Sequence, residues 1–293
     1  MKDVKPEDFR VTENIRLSDV ATRSDLKIDD DKSKALLKET RKALGELQDT
    51  MYAHNKYAVL ICLQGMDTSG KDSLIREVFR QINPRGVVVH SFKVPNELEL
   101  EHDFLWRHYI ALPERGKFAV FNRSHYENVI VTRVHPEYVL KENLPGVDAV
   151  EDLSPAFWEM RFKQINNFEK HLAENGTIIL KFFLNLGLDE QRERLLRRLE
   201  EGKHNWKFSP GDLKERESWK KYQQYYEEAI NATSKPNAPW FVVPADDKKL
   251  SRYIVAKIIL DEMQRYTDIK NPELDEEVKD NIRHYLKVLN SDQ

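Results

Sequence analysis

The chain holds a single cysteine, Cys62, and that scarcity excludes a disulfide framework. Cys62 sits inside an apolar run, so its thiol is expected to be inert core. No stretch approaches about 18 consecutive apolar residues, and the N-terminus lacks the apolar segment of a signal peptide. A cytoplasmic protein without a membrane partner is the expectation. Basic excess is missing too: 47 Lys and Arg against 50 Asp and Glu give a formal net charge of -3. A general nucleic-acid binder carries a surplus of positive charge, so no nucleic-acid partner is expected, and any polyanion must be met by a local basic patch. There is no zinc spacing of Cys and His, no suggestion of a Ser-His-Asp arrangement, no internal repeat and no low-complexity segment. What remains is a chain of 293 residues, 40% hydrophobic and 33% charged. That composition describes a globular protein, not a disordered one. It is long enough for one large α/β domain with extra helices, or for two small domains.

The informative stretch is an apolar run, residues 57–63, that empties into Gln64-Gly65-Met66-Asp67-Thr68-Ser69-Gly70-Lys71-Asp72-Ser73. The run reads as a fully buried strand. Leu74, Ile75, Val78, Phe79 and Ile82 then recur at helical spacing. Strand, G-x-x-x-x-G-K, helix is the order of a phosphate-binding loop. Glycines let backbone N–H groups turn onto an oxyanion, the helix start adds positive dipole, and Lys71 supplies an ammonium. Gly65, Met66, Thr68, Ser69, Gly70, Asp72 and Ser73 are therefore phosphate-binding candidates. The residue after such a lysine is ordinarily Ser or Thr, whose hydroxyl holds Mg²⁺; here it is Asp72. That carboxylate suits a helix start but needs a cation between itself and phosphates. Asp67, inside the loop, is expected to help hold Mg²⁺, directly or through water.

Strands and helices alternate along the chain. Residues 1–30 are polar and without sustained period, an arm on the surface or against a partner subunit. Asp29-Asp30-Asp31 caps a helix carrying Leu36, Leu37, Leu44, Leu47 and Met51. Further strands are expected at 87–92, 117–121, 177–184 and 239–243. Helices are expected at 95–112, 154–175, 188–201, 212–231, 247–265 and 273–289. In the 95–112 helix Leu98, Leu105, Trp106, Tyr109 and Ile110 are core candidates. Trp158, Trp219 and Trp240 also read as core. The alternation implies a five-stranded parallel sheet with right-handed crossovers. Ligands on such sheets bind beyond the strand C-termini, so 67–71, 122–127 and Asp246-Asp247 should converge.

Arg123, at the end of the third strand beside Asn122, is placed to fork onto phosphate oxygens as charge spreads over them. His125 reads as a hydrogen-bonding or packing residue rather than a base. Glu127 is open between a metal anchor and a helix-start carboxylate. Residues 191–221 hold ten Lys and Arg against six Asp and Glu. Arg194, Arg197 and Arg198 share one helix face, where like charges repel. They are offset either by nearby glutamates or by an anion under a closing lid. Residues 202–207 look like the lid's tip, with Lys203 and Lys207 meeting the anion, and Trp206 and Phe208 pinning the loop.

A phosphate loop alone serves GTPases, ATPase motors and small kinases. The arginine-bearing insertion between strands four and five favours a kinase. Asn122 stands where a hydroxyl-phosphorylating kinase benefits from a carboxylate base. An acceptor phosphate, with its second pKa near 6, needs little such help. Phosphate-to-phosphate transfer therefore fits better than phosphorylation of a sugar.

Together, Gly65-Met-Asp-Thr-Ser-Gly-Lys-Asp72, Ser91-Phe-Lys-Val-Pro95, Phe121-Asn-Arg-Ser-His-Tyr-Glu-Asn-Val129, Thr132-Arg-Val-His-Pro136 and Trp206-Lys-Phe-Ser209 through Asp212-Leu213 resemble the family-2 polyphosphate kinases. The resemblance covers residues 30–265. It implies a thymidylate-kinase-like P-loop fold, a three-layer α/β sandwich with a helical lid. It also implies reversible phosphoryl transfer between inorganic polyphosphate and nucleotides with Mg²⁺, in a dimer or tetramer. On it the chain divides into an arm at 1–30, a kinase domain at 31–270 with its lid at 188–221, and a C-terminal helix at 271–293. Asp67, Lys71, Asn122 and Arg123 fall on the catalytic positions, with Asp67 and Glu127 as metal candidates. Arg133, Arg194, Arg198, Lys203 and Lys207 are carried as phosphate- or nucleotide-binding. Asn122 departs from the aspartate of much of the family and resembles the subgroup acting on both AMP and ADP. An ATP-dependent nucleoside monophosphate kinase is the alternative, and a non-catalytic nucleotide-binding protein a third reading.

Overall fold

The computed structural model describes residues 4–201 and 210–291. Helix α1 (Asp30–His54) starts where the Asp29 carboxylate accepts the Lys32 N–H, and ends at Asn55 in a left-handed conformation. Strand β1 (Ala58–Gln64) is buried along its whole length and leads through the phosphate loop into α2 (Lys71–Val78). There follow β2 (Val87–Ser91), two short helices α3 (Glu97–Leu100) and α4 (Trp106–Tyr109), and β3 (Phe118–Asn122). After β3 come α5 (Glu127–Val134), α6 (Glu137–Leu140) and the long α7 (Pro155–Glu174), which Ser154 caps. Strand β4 (Thr177–Asn185) leads to α8 (Leu188–Glu200), α9 (Pro210–Glu217) and α10 (Trp219–Thr233). Strand β5 (Trp240–Pro244), α11 (Lys248–Gln264) and α12 (Glu276–Ser291) complete the order.

The five strands are parallel in the order β2-β3-β1-β4-β5. Strand β1 is central: Ile61 sits opposite Val120 on one side and Leu180 on the other. A strand flanked by strands and covered on both faces has no polar side, which is why β1 reads as continuous apolar sequence. Ile61 and Leu63 pack with Leu44 and Met51 of α1, Leu74 and Val78 of α2, and Ile254 and Ile258 of α11. Leu60 and Cys62 face the opposite layer, where Phe168 and Leu172 of α7 cover them. Burial raises the pKa of the Cys62 thiol, as expected of a core residue. Helix, sheet, helix is the three-layer arrangement of a P-loop kinase.

Three sequence expectations change. The arm is tied to its own sheet. Val11 N–H donates to the Trp240 carbonyl and Val242 N–H to that of Phe9, so the arm pairs antiparallel with the open edge of β5. Val4, Val11 and Leu17 are buried. The helix expected at 95–112 is instead α3 and α4, separated where Asp103 accepts the Leu105 and Trp106 N–H groups. There Leu98, Tyr109 and Ile110 are 61%, 54% and 65% exposed, while Arg107 and His108 are buried. The Arg107 guanidinium reaches Glu99 and the Lys93 carbonyl and lies over Phe92, which holds that face inward. The helix expected at 212–231 is interrupted at Ser218 between α9 and α10.

Candidate active site

The phosphate loop depends on its glycines. Gly65 has φ +152°, and a Cβ there would stand 2.8 Å from Ser69 Oγ and 3.1 Å from Leu184 Cβ. Gly70 has φ +105° at the start of α2, and Thr68 between them is also left-handed. Lys71 folds back over the loop, donating to Gly65 O at 2.6 Å and Met66 O at 3.3 Å. Burial, followed by the positive charge of Arg123, lowers its pKa to about 8.

Strand β3 delivers Asn122 and Arg123 to the same edge. Arg123 has φ +62°, a strained conformation for a residue with a side chain. Its N–H donates to the Leu63 carbonyl. Its guanidinium lies 3.3 Å from Asp67 Oδ1 and 3.6 Å from Glu127 Oε2. Glu127 foremost, and then Asp67 against the effect of burial, holds its pKa above the usual range. Behind it, Ser124, His125 and Tyr126 are fully buried. His125 Nε2 meets Glu169 at 3.0 Å, and Glu169 also takes Lys181 at 2.6 Å and the Tyr126 hydroxyl at 2.7 Å. His125 thus packs and bonds away from the crevice.

Three cavities meet at Arg123. The largest of them, of about 320 Å³, has Asp67, Lys71, Asp72, Arg123, Arg197, Arg198 and Lys248 in its lining; among the described residues no aromatic or aliphatic side chain lines it. The other two, of about 190 and 170 Å³, lie across Arg123. Glu127 lines both, and their walls include Val94, Phe104, Val131, Tyr138, Tyr222 and Tyr226.

The lid arginines divide. Arg194 is buried, and its five N–H groups are all committed. They go to the carbonyls of Thr68 (3.0 Å), Ser69 (3.2 Å), Ala245 (2.7 Å) and Asp246 (2.9 Å), and to Glu190 Oε1 (2.8 Å). It braces α8 against the phosphate loop and the end of β5, and lines the largest of the three cavities from that position. Arg197 is half exposed, beside Glu190, and Arg198 lines the cavity. Arg133 does not reach the crevice: its guanidinium stacks 4.2 Å over Tyr225 and pairs with Glu228. Lys203 and Lys207 lie outside the described residues, as do Trp206 and Phe208. Asp246 is occupied with Thr22 and the Gly187 N–H, and Asp247 caps α11. The residue that follows them, Lys248, is the one that sequence reasoning missed. Its Cε lies 3.9 Å from where a Cβ on Gly70 would stand. Burial, then Arg194, Arg197 and Arg252, lowers its pKa to about 8. The available signal was a lysine one residue past a helix cap, on the same sheet edge as the phosphate loop.

Among the described residues, no three His, Cys, Asp or Glu side chains gather as a metal site. Mg²⁺ does not require one: it keeps waters and takes one or two carboxylates alongside substrate phosphates. Asp67 and Asp72 are hard oxygen donors in one cavity. Asn122 Oδ1 and Thr68 Oγ1 there are buried without a partner. The donor set fits a metal that arrives with phosphates. Among the described residues, no helix is long and apolar enough to cross a membrane.

Residues 27–271 match the sequence profile of the family described as Polyphosphate kinase 2 (PPK2). The chain is 48% identical over 229 residues to the ADP-polyphosphate phosphotransferase of Rhodopseudomonas palustris, covering 78% of each. It is 43% identical over 221 residues to the AMP/ADP-polyphosphate phosphotransferase of Meiothermus ruber, covering 75% of this chain and 77% of that one. Among solved structures it is similar to polyphosphate kinase 2 from Arthrobacter aurescens. The TM-score is 0.88 at 34% identity, over 98% of this chain and 99% of that one.

Proposed function

The chain belongs to the polyphosphate kinase 2 family, and on that basis we propose that it moves phosphoryl groups from inorganic polyphosphate to AMP and ADP, reversibly, in the cytoplasm. One observation carries the assignment of donor and acceptor. Among the described residues, the cavity at the phosphate loop offers cations and N–H groups but no ring or aliphatic wall for a base. The cavities across Arg123 offer both. A donor that is phosphate throughout suits the first, and a nucleotide suits the second. An ATP donor needs a base platform on the loop side, and no described residue supplies one there.

In this reading the loop amides and Lys71 hold the donor phosphates, with Arg197 and Lys248 further along. Arg123, reaching all three cavities, stabilises the charge of the transferring group. The acceptor's terminal phosphate is already an oxyanion at neutral pH, so no side chain has to remove a proton from it. Asp67 would hold Mg²⁺, which would supply charge neutralisation for the bound phosphates. Glu127 holds Arg123 from the acceptor side, its second candidate role as a metal anchor resting on the 170 Å³ cavity that it lines together with Asp67. Assembly into a homo-oligomer is part of the proposal, supported by the uncovered apolar side chains of α12. The deciding assay supplies polyphosphate, AMP and Mg²⁺ without any ATP. ADP and then ATP are expected; absence of ADP, with activity on ATP plus AMP, would establish the ATP-dependent kinase instead.

A further inference from the structure

Two positions that ordinarily hold Mg²⁺ in a P-loop enzyme have traded chemistry in this chain. The position after the loop lysine usually carries a hydroxyl, and the strand-end position a carboxylate. Here the first is Asp72 and the second Asn122. The two side chains touch: Asn122 Nδ2 donates to Asp72 Oδ1 at 2.8 Å, and also to Ser91 Oγ at 3.3 Å. The total formal charge of the pair is unchanged, minus one, but it has moved from the strand to the first turn of α2. With both amide hydrogens turned to Asp72 and Ser91, Asn122 Oδ1 is left buried and without a partner in the same cavity. A carboxylate in that cavity repels donor phosphates unless a cation sits between them. Lys71 is directed at Gly65 O and Met66 O, not at Asp72.

We propose that Asp72 is the second carboxylate of the Mg²⁺ site, acting with Asp67, and that Asn122 is a positioning residue that aims it. This rests on the phosphotransferase reading for its substrate but not for its test. The probe is Mn²⁺, titrated into protein loaded with inorganic tripolyphosphate and followed by electron paramagnetic resonance. No turnover is involved. Asp72 is exposed at the crevice, so its replacement leaves the core untouched.

Asp72→Asn is expected to weaken Mn²⁺ binding by about 10- to 100-fold. Asn122→Ala should have a smaller effect in the same direction. The exchanged pair, Asp72→Ser with Asn122→Asp, should return affinity to within about threefold of wild type. Wild-type Mn²⁺ affinity in Asp72→Asn, with Asp67→Asn weakened, would overturn the assignment. So would an exchanged pair as weak as Asp72→Asn alone, or a wild-type protein that takes up no Mn²⁺ with tripolyphosphate. If Mn²⁺ binds as expected but no ADP forms from polyphosphate and AMP, the proposed reaction falls and the metal assignment stands.

Discussion

Lys71 and Lys248 are both lysines that stay charged at neutral pH but lose their charge within the mildly alkaline range. Their folded pKa values of about 8 lie below the ordinary value of 10.5, so each becomes neutral as pH rises through 8. Phosphate binding needs the charged form. The KM for polyphosphate should therefore be flat below pH 7 and rise by roughly fivefold per lysine from pH 8 to 9. A KM constant across that interval would mean that neither ammonium touches the substrate. Arg123→Ala should lower kcat by about a thousandfold, as loss of a transition-state arginine does; steady-state rates at saturating substrates measure it. Lys71 and Arg123 were legible in the sequence because loop and strand-end patterns are local. Lys248 was not: only the sheet order brings the end of β5 within reach of a loop about 180 residues earlier. Arg133 failed for the converse reason, since a motif arginine says nothing of the aromatic face that Tyr225 offers it.

Helix α8 is attached to the crevice chiefly through Arg194, with the Gln191 amide donating one further bond to the Asp67 carbonyl at 3.1 Å. Arg194→Ala removes donors from four loop and strand-end carbonyls at once. It should cost about 3 kcal/mol of stability by denaturant titration and raise the polyphosphate KM. Arg194→Lys should not restore either, because an ammonium lacks the fork. The arm is a second such attachment. Deleting residues 1–25 exposes the β5 edge at Trp240 and Val242 and leaves Asp246 without Thr22. A lower Tm and self-association are expected in scattering and thermal scans. Strands and long helices were readable because period and burial agree, as in β1 and α1. The stretch 95–112 was not: its apolar residues suggested a buried face, but the Arg107 ion pair decides which side turns inward. Polar partners distant in sequence leave no periodic trace.

The molecule's two ends behave differently. The arm is bound to the sheet, whereas α12 has no buried residue and presents Ile282, Tyr285, Leu286 and Leu289 to the outside. Removing residues 276–293 should leave the Tm of the body and its turnover unchanged while lowering the mass of the proposed homo-oligomer in light scattering. An unchanged mass would move the subunit contact elsewhere, the exposed Val88 and Val89 of β2 being the next apolar surface.

If the cavity over Lys71 takes the donor as proposed, its lack of a nucleoside wall among the described residues bears on traffic along the polymer. The interior units of polyphosphate look alike to this cavity, and only a terminal unit over Lys71 can be transferred. Once a terminal unit has left, the shortened strand can advance by one link without letting go. Sampled part-way through, digestion should show untouched long strands beside very short ones, like a zipper run down one track before the next is begun.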